Sequence, residues 1–298
     1  MNRRNFNAAF LGLGATAIGP IAMSGCASPM PTERITGIDT HAHAFHRGLP
    51  FVANRRYTPD YDAPMEQYLA QLDANGLSHG VVIPISILGT NNDYTLECVA
   101  RSKGRLRGVA VVDPEADIGK LDGLARGGIV GIRLNLIGKP VPDFNKGAWR
   151  ELIVACNRLK WHVEVYDDAR RLPESLAPLV AAGASVVVDH FGKPDPKLGV
   201  ADPGFKYLLG LGNTRQVWVK LSAPYRSSTE TAQAAAPLLL RAFGTDRLMW
   251  GSDWPHTGFE GKQHYADLLA NLQVWVPDPA QRQVVLAQTA ARLYRFQG

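Results

Sequence analysis

Two histidines one residue apart, His41 and His43, close a run that begins Ile38-Asp39-Thr40. Side chains at i and i+2 of an extended strand point to the same side, so both imidazoles can address one space. Two later stretches end in the same manner. Val186-Val187-Val188-Asp189-His190 delivers a third histidine, and Arg247-Leu248-Met249-Trp250-Gly251-Ser252-Asp253 delivers an aspartate. A histidine pair by itself is ordinary structure. Three histidines and an aspartate, each standing where an apolar run meets a polar loop, suit acid–base chemistry. The same four, His41, His43, His190 and Asp253, could instead hold zinc in four-coordinate geometry.

The elements that must carry these groups alternate along the chain. Runs rich in Val and Ile fall at 36–41, 80–85, 106–112, 129–136, 161–166, 185–190, 216–221 and 247–253. They show little alternation, as expected of parallel strands buried on both faces. Helical periodicity lies between them. Met65, Tyr68, Leu69 and Leu72 share one face ahead of an Asn75-Gly76 stop; Trp149, Leu152, Ile153, Cys156 and Leu159 share another, as do Ala232, Leu239, Leu240 and Phe243. Asp278-Pro279 caps a last helix carrying Val285, Leu286, Leu293 and Phe296. Eight such units in alternation predict a single α/β domain, a (β/α)8 TIM barrel over 35–298, with its site at the C-terminal ends of the strands. A doubly wound open sheet would want a glycine-rich turn after the first strand, and none is there.

Composition narrows the partners. The 298 residues carry 32 Lys and Arg against 27 Asp and Glu, and the basic residues are scattered, which argues against a nucleic-acid partner. The three cysteines, Cys26, Cys98 and Cys156, have no C-x-x-C spacing, so neither a disulfide framework nor a thiolate metal site is indicated. Cys98 and Cys156 read as small core residues. At the start, Arg3-Arg4 precedes Phe6 and a mildly apolar run from Ala8 to Met23, then Ser24-Gly25-Cys26. That order resembles a twin-arginine export signal over 1–26 ending in a candidate lipobox, with Cys26 as the lipidated residue and 27–34 as a tether. It predicts an exported, periplasmic protein with a lipid anchor to the membrane.

The strand-end motifs together resemble those of the amidohydrolase superfamily. Ser86-Ile87-Leu88-Gly89-Thr90-Asn91-Asn92, Asp189-His190-Phe191-Gly192-Lys193-Pro194, Lys220-Leu221-Ser222-Ala223-Pro224-Tyr225-Arg226 and Trp250-Gly251-Ser252-Asp253-Trp254-Pro255-His256 are similar to those of its 2-pyrone-4,6-dicarboxylate lactonases and sugar lactonases. Asn91 departs from the dicarboxylate pattern, where an aspartate is expected.

The resemblance implies a barrel hydrolase acting on a small carboxylated lactone. Many relatives hold zinc or manganese through the His-x-His pair, later histidines or a lysine, and the last-strand aspartate. Here the fifth run ends in Tyr166, and His162 sits at its opening end, facing the wrong mouth. That pattern matches the branch that works without a metal cofactor. In it His41, His43 and His190 polarise the lactone carbonyl and Asp253 acts as general base. Arg133 and Arg226 offer guanidinium forks for a substrate carboxylate, or for a neighbouring carboxylate of the chain itself. Tyr57, Ser86, Thr90, Tyr166 and His256 match family positions near the ligand, and Arg55 and Arg56 read as solvated surface. A zinc-dependent decarboxylase or hydrolase of the same superfamily, and a non-catalytic exported binding lipoprotein, are the other readings.

Overall fold

In the computed structural model, which describes residues 34–297, the apolar runs pair in chain order, all parallel. They form β1 (Ile38–Ala42), β2 (His79–Val82), β3 (Leu106–Ala110), β4 (Ile129–Asn135), β5 (His162–Tyr166), β6 (Ser185–Val188), β7 (Val217–Ser222) and β8 (Leu248–Gly251). The circle closes just beyond β8. There the Asp253 N–H donates to the His41 carbonyl at 2.8 Å and the His43 N–H donates to the Trp254 carbonyl at 2.7 Å. This is the expected (β/α)8 barrel. The export stretch 1–26, Cys26 and the tether as far as residue 33 lie outside the described residues.

Helices cover the outer face by the stripes read from the sequence. Met65–Ala74 buries Met65, Tyr68 and Leu72 and stops at Asn75 and Gly76, where Gly76 takes a φ of 69°. Gly147–Arg158 buries Leu152, Ile153 and Cys156, and Thr229–Phe243 buries Ala232, Leu239 and Phe243. Burial pushes the thiols of Cys98 and Cys156 up to about 12, so both behave as small apolar core groups.

Several strands end earlier than their apolar runs. The run 185–190 stops as β6 at Val188, and the run 247–253 stops as β8 at Gly251. His190 and Asp253 lie just past those ends with φ of 53° and 60°, left-handed values that cannot continue a ladder. Strand geometry is also broken on purpose inside β1. Asp39 pairs with Gly80 but Ala42 with Val82, so three residues advance against two. That bulge resets which side chains point inward. Before it, Asp39 points away from the axis and accepts from Tyr265 OH at 2.9 Å and Ser252 Oγ at 2.6 Å. After it, His41 and His43 point in. Gly251 makes room, since a Cβ there would stand 2.8 Å from His41 Cβ.

The interior of the barrel is layered. Its lower layer is apolar, built from Ile38, Val81, Val109, Val130, Val187 and Met249, and is closed from below by Tyr294 and Phe296. The Asp278 side chain caps the helix Pro279–Gln283 by accepting from the Gln281 N–H at 2.8 Å. The path then widens through one π-helical stretch, Val284–Gln288, into Thr289–Tyr294. Tyr294 OH donates to Glu164 Oε1 at 2.8 Å, joining this plug to the polar layer above. Removing only that hydroxyl, as Tyr294→Phe, is expected to destabilise by roughly 1.5–3 kcal/mol, the range for a hydrogen bond to a charged group. Tyr294→Ala also leaves a cavity and is expected to cost about 3–5 kcal/mol. Urea titration of both variants checks this; a Tyr294→Phe variant as stable as wild type would mean the hydroxyl contributes nothing.

Candidate active site

Above the apolar layer the axis turns ionic. Lys220 on β7, with no exposed surface, places Nζ 2.7 Å from Glu164 Oε1, 3.3 Å from Asp189 Oδ1 and 3.1 Å from His41 Nδ1. Arg133 on β4 donates through Nε to Asp189 Oδ2 at 2.9 Å. His162, Glu164 and Tyr166 alternate inward along β5, and His162 lies at the lower end, 3.2 Å from Glu164 Oε1. It is therefore far from the upper mouth, as its position in the run implied.

The three predicted imidazoles and the aspartate meet one layer higher. Nε2 of His41 and of His43 each stand 3.6 Å from Asp253 Oδ1, and His190 Nε2 stands 3.9 Å from it. The other oxygen, Oδ2, is fully engaged: it accepts from Tyr225 OH at 2.7 Å, from Arg226 Nε at 2.7 Å and from Arg226 Nη2 at 2.6 Å. Asp253 thus has one oxygen fixed and one facing the histidines.

Hydrogen-bond partners assign different states to the rings. His41 Nδ1 stands 3.1 Å from Lys220 Nζ and 3.4 Å from Asp189 Oδ1; accepting at the shorter distance from the ammonium, which can only donate, puts the ring proton on Nε2. A carbonyl can only accept, so His43 Nδ1 donates to Ile83 O at 2.9 Å, and in the neutral ring that leaves the lone pair on Nε2. His190 Nδ1 pairs with Ser222 Oγ at 2.8 Å, a hydroxyl that can take either role.

Burial decides the charges. It lowers His41 to about 3 and His190 well below the ordinary imidazole value, so both rings are neutral at pH 7. It lowers His256 to about 4. Burial, the largest single influence, would raise the Asp253 carboxyl, but the Arg226 guanidinium and the surrounding imidazoles together outweigh it and hold the group well below the usual carboxylate range. Asp189 is held down in the same way, against burial, by Lys220, His41 and Arg133.

A polar cavity of about 80 Å³ opens onto Asp253, lined by His43, Arg56, Tyr57, Ser86, Arg133, Asn135, Tyr166, Arg226 and Thr257. Five of the seven residues expected to touch substrate are here: Tyr57, Ser86, Arg133, Tyr166 and Arg226. The ring of Tyr166 lies between two guanidinium carbons, 5.2 Å from that of Arg133 and 5.9 Å from that of Arg226. Both arginines pair with a carboxylate of the chain, Arg133 with Asp189 and Arg226 with Asp253, which is the second of the two alternatives read for them. Thr90 lines a neighbouring cavity instead, and His256 packs behind Tyr225 at a ring distance of 6.2 Å.

Some contributors went unread in the sequence. Arg56, taken for solvated surface, stands at the cavity rim. Asp189, Tyr225 and Glu164 escaped notice although the first two sit beside His190 and Arg226; nothing local in Val163-Glu164-Val165 distinguishes a buried glutamate from an edge one. Thr257 has no signal of its own.

Two groups among the described residues have the ligand types and spacing for a metal ion: His41, His43 and Asp253, and His41, Asp189 and His190. Buried His41 Nε2, His190 Nε2 and Asp253 Oδ1 all lack a hydrogen-bond partner, which favours such a ligand. The protonation pattern opposes it. With Lys220 donating to Nδ1, His41 presents N–H rather than a lone pair from Nε2, so one of the four candidate ligands does not fit.

Comparison with known proteins agrees with this geometry. The chain is 32% identical over 275 residues to a 2-pyrone-4,6-dicarboxylate hydrolase of Comamonas testosteroni, covering 86% of this chain and 89% of that one. It is 30% identical over 270 residues to a 4-sulfomuconolactone hydrolase of Hydrogenophaga intermedia, covering 86% and 88%. A crystal structure of a probable 2-pyrone-4,6-dicarboxylic acid hydrolase from Acinetobacter baumannii, with citric acid bound, superposes with a TM-score of 0.84 at 35% identity, over 88% of this chain and all of that one. An amidohydrolase of Burkholderia multivorans solved with zinc, at 20% identity and a TM-score of 0.71 over 88% and 99%, shares the fold. The amidohydrolase family model matches residues 38–296, from the first residue of β1 to the last ring of the plug, and the chain belongs to that family as an enzyme.

Proposed function

We propose that the protein hydrolyses a small carboxylated lactone, of the 2-pyrone-4,6-dicarboxylate type, with Asp253 as general base and without a metal. The observation that carries this reading is the split of the Asp253 carboxylate: Oδ2 is tied by Tyr225 and Arg226 while Oδ1 is left toward the cavity and the imidazoles. The relatives support the substrate class, since those named act on anionic lactones and one holds a tricarboxylate.

His43 and His41 have separate tasks. Asp253 Oδ1 and the lone pair on His43 Nε2, 3.6 Å apart, can both accept from one attacking water. As Asp253 takes the water's proton, hydroxide adds to the lactone carbonyl, and His41 Nε2–H is aimed to donate to the oxyanion that forms. The tetrahedral centre collapses by breaking the ring C–O bond, and the proton on Asp253 passes to the departing oxygen. Water and lactone yield a hydroxy acid, or its keto tautomer when the leaving oxygen is an enol. Arg133, with its terminal nitrogens beside the cavity and Tyr166, supplies the fork for the substrate carboxylate.

Zinc is the second reading, favoured by the unpaired Nε2 and Oδ1 atoms that face one another. The residues holding it would be His41, His43, His190 and Asp253, and it would supply Lewis acidity at the carbonyl. We propose also that the chain is exported and anchored through Cys26, on the strength of Arg3-Arg4 and Ser24-Gly25-Cys26. Labelled palmitate should enter the wild-type protein in its host's membrane fraction and not Cys26→Ala; label in both, or in neither, refutes the anchor.

Hydrolysis of 2-pyrone-4,6-dicarboxylate by protein stripped with chelator is expected to match that of untreated protein, and Asp253→Asn is expected to lose about 10²–10⁴-fold in kcat. Loss on chelation with recovery on zinc would transfer the site to the metal reading. The pH profile has a clear sign. His41 at about 3 and His256 at about 4 stay neutral, and Asp253 stays ionised, down to acid pH. Protonation of these three groups should therefore depress activity only below about pH 4, which the acid limb of a kcat/KM profile checks. Lys220→Gln, which can still donate to His41 Nδ1, should retain more turnover than Lys220→Met, which cannot; equal losses would detach Lys220 from the ring's proton.

A further inference from the structure

We propose that the site includes a second subsite, which takes an apolar ring or chain carried by the lactone. This rests on the lactonase reading and narrows its substrate to a lactone with one carboxylate and one apolar substituent.

The catalytic cavity shares a wall with a larger one. Ser86, Arg133 and Asn135 line both, so the two cavities lie side by side and a substituent on a ligand held in the first is next to the second. The volumes differ greatly, about 80 Å³ against about 530 Å³. The deep cavity therefore has room for the reacting ring and its anion, and any further bulk has to go outward into the second space.

Chemistry separates them too. The deep cavity presents guanidinium, hydroxyl, amide and carboxylate groups. The outer one is walled by Val112, Leu134, Leu136, Trp149, Pro114 and Pro140. Val112, Leu134 and Leu136 are buried at the ends of β3 and β4, so this wall is part of the barrel body. Trp149 is braced edge-on by Phe144 at 5.6 Å. The one carboxylate in this wall, Asp113, already accepts from the Glu115 and Ala116 N–H groups as a helix cap, and Lys139 is exposed at the rim. Away from the shared wall, whose donors Ser86, Arg133 and Asn135 also serve the first cavity, a second substrate carboxylate would lose water with only Thr90 and the exposed Lys139 to replace it, whereas an aryl or alkyl group would gain apolar contact.

The test compares 2-pyrone-6-carboxylate with its 3-, 4- and 5-phenyl derivatives and with 2-pyrone-4,6-dicarboxylate, using the purified full chain. At least one phenyl derivative is expected to exceed the unsubstituted parent by about tenfold or more in kcat/KM, the gain that burying a ring of this size brings. Trp149→Ala should cancel that gain while leaving the parent's kcat/KM unchanged, and Trp149→Leu, which keeps an apolar wall, should retain part of it. No gain from any phenyl position, a preference for the dicarboxylate over every phenyl derivative, or a gain indifferent to Trp149→Ala overturns the proposal. If no pyrone is hydrolysed, the lactonase reading fails by itself. Calorimetric binding of the same series to Asp253→Asn, with and without Trp149→Ala, then decides the subsite by the same ratios.

Discussion

A lysine with no access to water must be surrounded, and the site grows from how Lys220 is surrounded. Three cations, Lys220, Arg133 and Arg226, face three carboxylates, Glu164, Asp189 and Asp253, along the barrel axis. Removing one member of such a set leaves a buried charge without its partner, at a cost of about 3–5 kcal/mol, so the members hold one another in place. The remaining lysine proton goes to His41, which fixes where that ring carries its own. An electrostatic requirement of the interior thus determines where an imidazole beside Asp253 carries its proton.

Backbone geometry supplies the aim. Extra residues in β1 and irregular pairing between β3 and β4 reset the inward register before the chemistry begins. Left-handed turns at His190, Ala223, Asp253 and His256 then swing side chains off the ends of β6, β7 and β8. Such conformations cost of order 1–3 kcal/mol each for residues other than glycine, and the closed sheet beneath offsets that cost.

Much of this was legible in the chain, and the legible part has a common cause. The barrel followed from Val and Ile runs alternating with helical stripes, because burial on both faces leaves a compositional trace. His41, His43, His190 and Asp253 were found because a polar group ending an apolar run is conspicuous. Asp189 and Glu164 were not, since each is a single acid whose partner, Lys220, lies far along the sequence and meets it only when the sheet closes. Thr90 and His256 stand beside the smaller cavity rather than in its wall, as a motif gives adjacency along the chain and the left-handed turn at His256 gives direction. The strand ends were overrun for the same reason: hydropathy continues through residues whose φ has already changed sign.

The shared wall of Ser86, Arg133 and Asn135 divides the upper face into two territories with different tolerance for change. On one side, β5 to β8 and β1 are locked by buried charges, and almost any replacement there disturbs several partners. On the other, the side chains after β2, β3 and β4 that line the larger cavity make mostly apolar contacts, so they can be exchanged one at a time. A lineage carrying this barrel can therefore drift toward new substrates through one half of its rim while its chemistry stays under strong constraint in the other.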